Sequence, residues 1–348
     1  MITSHSATNG REGFKPYNLL RHFNLIFLAV GVVFLYWMLK KLGWANLALY
    51  FLHVGYCWPF LFLPYGLVNC LGMISWSNLL PDRATRPSRG RLYLLYLAGE
   101  SLNQLTPTAS MGGEPYKALR LKAQGVPWEQ ATASVVIQKG MMVLSLVLYI
   151  FLGLALNVFV LNASASHLGL PSLAALVLGV ACLLFLVVQR RSPCISAIRL
   201  LGKCGLCPKK LKDKEQELSN LDSCLAGFYE KHPGRAVLSL ILLITGWIIH
   251  GTEVWVIFWL LGHPINFGLA LCLDALVTLF AALGFMIPAS LGVQDGGAIL
   301  VSLGFNLGAA LGGAFTIMRR IREAFWLSLG LLLVAKISDL STAGKKDQ

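Results

Sequence analysis

Residues 140–160 read GMMVLSLVLYIFLGLALNVFV and contain no charged side chain. They begin a longer segment, 140–189, that has no Asp, Glu, Lys or Arg, and segments 23–39 and 42–81 are uncharged as well. A helix crosses the hydrocarbon core of a bilayer in about 20 apolar residues, so each of the two longer segments has room for about two crossings. Backbone amides in lipid must bond within the protein, and these segments lack the alternating pattern of barrel strands. The sequence therefore predicts an all-α polytopic membrane protein.

The charged residues are few and unevenly placed. Only 13% of the 348 residues are charged, about half the fraction in an ordinary soluble domain, yet the net charge is +13. The basic residues concentrate in four segments between the apolar runs: 11–21, 83–91, 117–122 and 190–235. By the positive-inside rule these segments lie in the cytoplasm, and the uncharged segments 157–170 and 261–269 lie outside. We therefore expect both termini in the cytoplasm, and we expect the basic residues to meet lipid head groups rather than nucleic acid.

Six crossing helices and two re-entrant hairpins satisfy this charge pattern. The crossing helices are predicted at 20–39, 45–80, 128–157, 170–189, 236–261 and 308–337, and the hairpins at 92–113 and 269–295. A full crossing by 92–113 would place one of its two basic flanks outside, whereas a hairpin keeps both inside. Pro107, Gly112 and Gly113 supply a break in the helix. Broken backbone is tolerated at membrane depth only where it lines protein or a wet cavity, so the hairpins mark a candidate functional site.

The two hairpins carry similar sequences. The sequence ASMGGE ends at Glu114, and the similar sequence ASLGVQ is followed directly by Asp295. A proline, Pro107 or Pro288, stands seven residues before each acid. The shared proline, small residues and acid at equal spacing indicate an internal duplication.

A cation follows each motif at the same distance. Lys139 lies 25 residues after Glu114, and Arg320 lies 25 residues after Asp295, both within apolar segments. We infer one membrane domain, 1–348, that contains a first repeat at 45–157, a basic cytoplasmic loop at 190–235 and a second repeat at 236–338. Because the first copy starts inside and the second starts outside, the repeats are expected to be inverted. Inverted repeats with broken helices at mid-membrane are a recurrent transporter architecture.

The intramembrane charges define a candidate site. A charge inside a bilayer costs at least about 2.5–3.5 kcal/mol and is usually paired or functional. Lys139 and Arg320 suit an anionic ligand, and helix N-termini after the glycines would add free amides and partial positive charge. We predict a lipid head-group site made of Asn103, Thr106, Gly112, Gly113, Glu114, Lys139, Gly292, Asp295, Arg319 and Arg320. A structural interpretation stays open, in which Lys139 pairs with Glu114 or Glu100 and Arg320 pairs with Asp295. Both interpretations hold if the ligand breaks these pairs.

The sequence lacks the patterns of common catalytic and metal sites. We find no Ser-His-Asp set, metal-binding histidine pair or dinucleotide fingerprint, so we expect no catalytic residue, no metal and no cofactor. His250 and Glu253 stand one turn apart on a predicted helix, which suits either a proton relay or a buried bonded pair. Cys204 and Cys207 form a tight pair in the basic loop, where a reduced state is expected.

The two motifs resemble those of a known family. The first is Asn103-x-x-Thr106-Pro107-x-x-x-x-Gly112-Gly113-Glu114-Pro115-x-x-x-x-Arg120, followed by Gly125 and Lys139. The second is Pro288-x-x-x-Gly292-x-x-Asp295, followed by Arg319 and Arg320. Together they resemble the lysylphosphatidylglycerol synthase transmembrane family, also called flippase-like, over nearly the whole chain. Within that family the chain resembles the hopanoid-biosynthesis-associated membrane proteins.

The resemblance implies a protein of the bacterial inner membrane. It also implies lipid movement, because the best-understood members of the family move a lipid between leaflets. The implied partner is a membrane lipid, either a phospholipid or a hopanoid. In aminoacylating members a soluble domain follows the membrane part, whereas this sequence ends at Gln348, so synthase activity is not expected. Lys139 replaces the usual arginine, which keeps the charge but weakens bidentate phosphate recognition. The cysteine-bearing loop has no clear family counterpart and is a candidate docking surface for a cytoplasmic biosynthetic partner.

Three functions stay open from the sequence. The leading hypothesis is lipid translocation, with the head group held between the hairpins, and it makes the protein a transporter rather than an enzyme. The second is a membrane-embedded transferase that modifies a lipid and leaves a new covalent product. The third is a scaffold whose basic loop recruits lipid-biosynthetic enzymes.

Overall fold

The chain is helical throughout the part that the structure describes. The computed structural model describes residues 54–80, 87–106, 112–159, 169–190, 215–284 and 287–343. The helices are α1 Pro59–Leu79, α2 Arg89–Leu105, α3 Gly113–Ala123, α4 Trp128–Phe159, α5 Gly169–Arg190, α6 Glu215–Lys231, α7 Pro233–Leu260, α8 Phe267–Leu283, α9 Val293–Gly304 and α10 Ala309–Ala343. The predicted all-α class is confirmed. The predicted span 20–39 and the start of the span 45–80 lie outside the described residues.

Three of the described helices are long and apolar enough to cross a membrane. They are Gly55–Leu79, which includes α1, then Trp128–Val158 within α4, and Pro233–Leu260, which is α7. Helix α10 has the length of a crossing helix, 35 residues, but a cluster of four charged side chains at 319–323 interrupts its apolar sequence. Those charges have buried partners, which are described below.

Helices α2 and α3 form the first hairpin. They contain 17 and 11 residues, so at 1.5 Å per residue each is shorter than the roughly 30 Å of a bilayer core. The Asn103 side-chain oxygen accepts a hydrogen bond from the Gly113 amide at 2.7 Å, and Gly99 of α2 lies against Lys117 of α3. Helices α2 and α3 therefore lie side by side and antiparallel. The predicted range 92–113 was too short, because it includes the first arm and the turn but stops where α3 begins.

Helices α8 and α9 form the second hairpin, with 17 and 12 residues. The Phe280 ring lies against Gly297, where a side chain would not fit, and Val293 lies against Gly284. The predicted range 269–295 likewise stops near the start of the return arm, α9. In both hairpins the sequence pattern identified the break but not the full length of the return arm, which in the first hairpin is a polar helix.

The break in the second hairpin contains strained backbone. Ala289 and Ser290 have φ values of 52° and 47°, which L residues rarely adopt, and Gly292 has φ of 83°. The Ser290 hydroxyl donates a hydrogen bond to the Ala281 carbonyl at 3.0 Å. Such strain persists only where surrounding contacts fix it, and it concentrates at functional sites.

The two halves of the chain repeat the same order of elements. A long helix, a hairpin and a second long helix occur as α1, α2–α3, α4 and again as α7, α8–α9, α10. Lys139 stands eleven residues after the first residue of α4, and Arg320 stands eleven residues after the first residue of α10. The matching order is what an internal duplication would produce, and the duplication of 45–157 in 236–338 stays a prediction.

The halves are interlocked, because the first arm of each hairpin packs on the last helix of the other half. Helix α2 packs on α10, where Gly330 lies directly against Ser101. Helix α8 packs on α4, where Gly153 lies against Ala275. Small residues allow this close approach, as is typical of membrane helix interfaces. The two hairpin breaks are held within one bundle as a result.

Helix α6 lies in the basic loop 190–235 and packs on α4 and α7. Its Leu221, Leu225 and Phe228 belong to an apolar cluster with residues of those helices. Burial raises the pKa of the Cys224 thiol on the same helix, which disfavours the reactive thiolate. The described part of the loop is therefore attached to the membrane helices rather than separate from them.

We expect Gly297→Ala to destabilise the second hairpin. A Cβ atom at residue 297 would lie 2.4 Å from Phe280 Cγ, whereas at its neighbour Gly296 nothing lies within 4 Å. Overpacking of this kind costs about 1–3 kcal/mol. Thermal unfolding in detergent should show a lower melting temperature for Gly297→Ala and an unchanged or higher one for the control Gly296→Ala. Equal melting of the two variants would contradict the hairpin packing.

Candidate functional site

The first hairpin places an acid and a cation together at the start of its return arm. Glu114 is in the first turn of α3, and its Oε1 lies 3.5 Å from Lys139 Nζ of α4. Asn103 donates to the same Oε1 at 3.0 Å and accepts from the Gly113 amide at 2.7 Å. The buried Asn103 side chain therefore uses both ends of its amide to join α2 to the start of α3, whereas the sequence analysis predicted it as a head-group ligand.

Two further predicted residues, Thr106 and Gly112, meet where α2 ends and α3 begins. The Thr106 hydroxyl donates to the Leu102 carbonyl at 2.7 Å, at the end of α2. A Cβ atom at Gly112 would lie 1.9 Å from that hydroxyl oxygen. Gly112 is therefore required for Thr106 to lie beside the start of α3.

Lys117 is a site residue that the sequence pattern assigned to the cytoplasm. It is only 1% exposed, and it forms an ion pair with Glu100 of α2. Its ammonium group lies 4.8 Å from the centre of the Tyr96 ring and 5.7 Å from that of Trp76. The segment 117–122 is therefore not a basic loop. It belongs to the return arm of the hairpin, and its first lysine faces inward because Gly99 leaves room for the stem.

The second hairpin repeats the arrangement with an arginine. Arg320 Nε donates to Asp295 Oδ1 at 2.8 Å, and its Nη1 donates to Glu323 at 2.6 Å and to the Ala289 carbonyl at 3.1 Å. Asp295 Oδ2 accepts from the Gly292 amide at 2.8 Å, at the start of α9. The planar guanidinium thus contacts both the acid and the strained turn, which the single point charge of a lysine would not do.

A tyrosine of α1, Tyr65, connects the first hairpin to α10. Gln104 Nε2 of the first hairpin donates to the Tyr65 hydroxyl at 3.1 Å, and the guanidinium of Arg322 lies 4.1 Å from the centre of the Tyr65 ring. Arg322 Nε in turn bonds Glu253 Oε1 of α7 at 2.8 Å, and both side chains are at most 2% exposed. Sequence reasoning missed Tyr65, because a tyrosine in an apolar helix carries no pattern of its own.

A fourth cluster surrounds Asp274 of α8, which is fully buried. Its Oδ2 accepts from the Tyr149 hydroxyl at 2.9 Å and lies 2.8 Å from His250 Nδ1. Arg319 Nη2 lies 3.3 Å from Asp274 Oδ1. The buried bonded pair of His250 with Glu253, one of the two alternatives from the sequence, is wrong. His250 meets Asp274 of α8 and Arg319 of α10, whereas Glu253 meets Arg322 of α10.

Arg319 and Arg320 share a small cavity. Its volume is about 10 Å³, which is about the space that one water molecule needs. The lining residues are Val277, Gln294, Asp295, Ala298, Thr316, Arg319, Arg320 and Glu323. A lipid head group is far larger, so in this conformation it could enter only if the ion pairs opened.

The ten predicted site residues fall into two groups. The first hairpin unites Asn103, Thr106, Gly112, Gly113, Glu114 and Lys139, and the second unites Gly292, Asp295 and Arg320, with Arg319 beside them. The structural interpretation of the cations holds in this conformation, since Lys139 pairs with Glu114 and Arg320 pairs with Asp295. Ion pairs of this kind are compatible with a site that a competing anion opens.

Comparison with known proteins adds an independent observation. The family model described as the lysylphosphatidylglycerol synthase TM region matches residues 24–330. A UPF0104 membrane protein of Methanocaldococcus jannaschii is 21% identical over 263 residues, which cover 73% of this chain and 76% of that protein. No solved structure matches the chain.

We expect the buried pair Arg322–Glu253 to be structural. Removal of one partner leaves an uncompensated buried charge, so Glu253→Gln should destabilise the protein by about 3–5 kcal/mol. Replacement of both residues, Glu253→Leu with Arg322→Met, should recover most of that loss. Thermal unfolding in detergent checks both variants. Wild-type melting of Glu253→Gln would show that the pair does not hold α7 to α10.

Proposed function

Because the chain belongs to the lysylphosphatidylglycerol synthase transmembrane family, we propose that it moves a polar or anionic lipid across the bacterial inner membrane. Besides the family match, the proposal is supported by the geometry of the two hairpins. Each hairpin presents an acid in the first turn of its return arm, and each acid is paired with a cation from the long helix that follows. This duplicated acid–cation pair at a helix break is the observation on which the proposal rests.

The proposed ligand site is built from the two cations. Lys139 and Arg320 are the charges that a lipid phosphate would meet, and their side chains are 15% and 13% exposed, more than those of Arg322 and Lys117. The return arms α3 and α9 begin at these points, and a helix N-terminus carries partial positive charge. A phosphate would therefore be stabilised by side-chain charge and by backbone dipole together.

Exchange of partners explains how such a site could open. A buried charge needs a partner, so Lys139 and Arg320 would leave their acids only for another anion. The acids would keep hydrogen bonds when this happens: Glu114 from Asn103, and Asp295 from the Gly292 amide. The head group would then replace the carboxylates, while its apolar tails stayed in the surrounding lipid.

The wider setting follows from the resemblance and the charge pattern. We propose that both termini lie in the cytoplasm, that the lipid is a phospholipid or a hopanoid, and that the protein acts in hopanoid metabolism. The basic loop 190–235 is proposed to contact a cytoplasmic biosynthetic partner. Helix α6, the described helix of that loop, packs on α4 and α7.

Lys139→Ala and Arg320→Ala should abolish lipid translocation by the folded fraction that size-exclusion chromatography recovers, although each change also leaves an acid without its cation. Each change removes a cation that the head group would need. Purified protein in liposomes with fluorescent phosphatidylglycerol in one leaflet provides the measurement, because an impermeant quencher reports how much probe has moved. Lys122→Ala is the matched control, since Lys122 is exposed and contacts Trp128 instead of an acid. Wild-type rates in both cation variants would contradict the proposed site.

Mass spectrometry of the same liposomes decides between movement and modification. A translocator leaves the lipid masses unchanged, whereas a membrane-embedded transferase supplied with a donor would create a new covalent product. A new product together with no movement of the probe would replace the transport proposal with the enzyme.

A further inference from the structure

Four helices converge on one buried group that the proposed site does not use. Asp274 of α8 meets Tyr149 of α4, His250 of α7 and Arg319 of α10. His250 is 7% exposed and Arg319 is 5% exposed. Ionisable groups are rare in membrane helices, and those that occur often mark ion or proton pathways. A histidine that contacts both a buried acid and a buried arginine is therefore a candidate for such a role.

The partners of His250 fix where its proton lies. Arg319 Nη2 lies 3.4 Å from His250 Nε2, and a guanidinium can only donate hydrogen bonds. His250 Nε2 must therefore be the acceptor, so the proton sits on Nδ1 and is donated to Asp274 Oδ2. An imidazole with its proton on Nδ1 satisfies both contacts, between the opposite charges of Asp274 and Arg319.

A second proton on His250 would break this arrangement. It would add to Nε2, which faces the Arg319 guanidinium, and place two cations in contact in a medium of low dielectric constant. The imidazolium would still donate to Asp274 through Nδ1 and would compensate that acid by itself. Arg319 would then lose its partner and be repelled from the cluster.

Arg319 connects the histidine to the proposed ligand site. It lines the same cavity as Arg320 and Asp295. Within the described part of the chain, its Nε and Nη1 atoms are buried without a hydrogen-bond partner. An arginine released from Asp274 therefore has unused donors beside the cation that is proposed to receive the lipid phosphate.

We propose that His250 binds a proton together with the anionic head group, so that lipid translocation is coupled to proton movement. The inference rests on the proposed function, since the head-group site is the one formed by Arg320. Protonation frees Arg319 for the anion, and by linkage the bound anion favours protonation. Lower pH should therefore strengthen anion binding.

The other groups around His250 do not offer an alternative proton site of the same kind. Tyr65 of α1 lies with its ring centre 6.1 Å away, and Tyr149 of α4 donates to Asp274. Glu253, one turn along α7, is committed to Arg322 of α10. Helix α6 contacts the opposite end of α7, near His232.

The test measures the binding of a short-chain phosphatidylglycerol to the full-length protein in neutral detergent by titration calorimetry. Histidine changes charge between about pH 5 and pH 8, whereas the phosphodiester stays ionised throughout. We expect about tenfold tighter binding at the acid end of this range, and uptake of about one proton per lipid when buffers of different ionisation enthalpy are compared. Phosphatidylcholine, which has no net charge, serves as the comparison lipid.

His250→Gln carries the decisive contrast, because glutamine can bond both Asp274 and Arg319 but cannot titrate. This variant should bind with an affinity that does not depend on pH and should take up no proton. His232→Gln is the matched control, since His232 is exposed near the start of the same helix, and it should behave as wild type. Wild-type pH dependence in His250→Gln would overturn the proposal.

Two further outcomes keep the inference separate from the proposed function. If His250→Gln does not fold, the number of protons that the wild-type protein takes up per bound lipid still tests the coupling. An uptake of zero protons refutes it. Movement of lipid in liposomes with pH-independent binding would refute the proton coupling and leave translocation intact. Binding linked to a proton without any movement of lipid would refute translocation instead.

Discussion

Helix α10 carries three arginines, and an acid from a different helix holds each of them. The pairs are Arg319–Asp274 with α8, Arg320–Asp295 with α9 and Arg322–Glu253 with α7. An unpaired charge away from water is costly, so each pair fixes α10 against one neighbour. The positions of the second hairpin and of the helix before it therefore depend on ionic contacts that an apolar sequence alone would not specify.

The ion pairs differ in burial, and the most deeply buried one is not part of the proposed ligand site. Arg322 and Glu253 are sealed and stack against Tyr65, which makes them a fixed joint between the halves of the chain. Arg320 and Lys139 stand at the hairpin breaks and are more exposed. A buried joint and two more accessible ion pairs are thus built from the same chemistry, and our proposal is that a ligand opens only the accessible pairs.

The sequence predicted the parts of this arrangement that recur. Lys139 with Glu114 and Arg320 with Asp295 could be paired in advance, because each couple has the same spacing in both halves. The helical class and the hairpin breaks followed from charge-free segments and from proline and glycine.

The contacts that occur in only one half of the chain could not be predicted from the sequence. The charge pattern placed Lys117 in a cytoplasmic segment, and only the structure shows that Gly99 leaves room for its buried side chain. Tyr65 bonds Gln104, but in the sequence it is a tyrosine in an apolar helix that belongs to no motif. His250 and Glu253 share a helix face by spacing, yet each bonds to another helix. Periodicity gives the face of a helix, whereas only packing decides which helix lies opposite.

The central claim is that the two hairpins enter the membrane from opposite sides, and side-specific thiol labelling tests it most directly. Single cysteines at the exposed ends of each hairpin, Ser88→Cys with Gln124→Cys and Asn266→Cys with Asn306→Cys, would be placed in a chain without its own cysteines. Both ends of the first hairpin should react only from the cytoplasm, and both ends of the second only from outside. Labelling of the two ends of one hairpin from opposite sides would show a full crossing and contradict the inverted, re-entrant architecture.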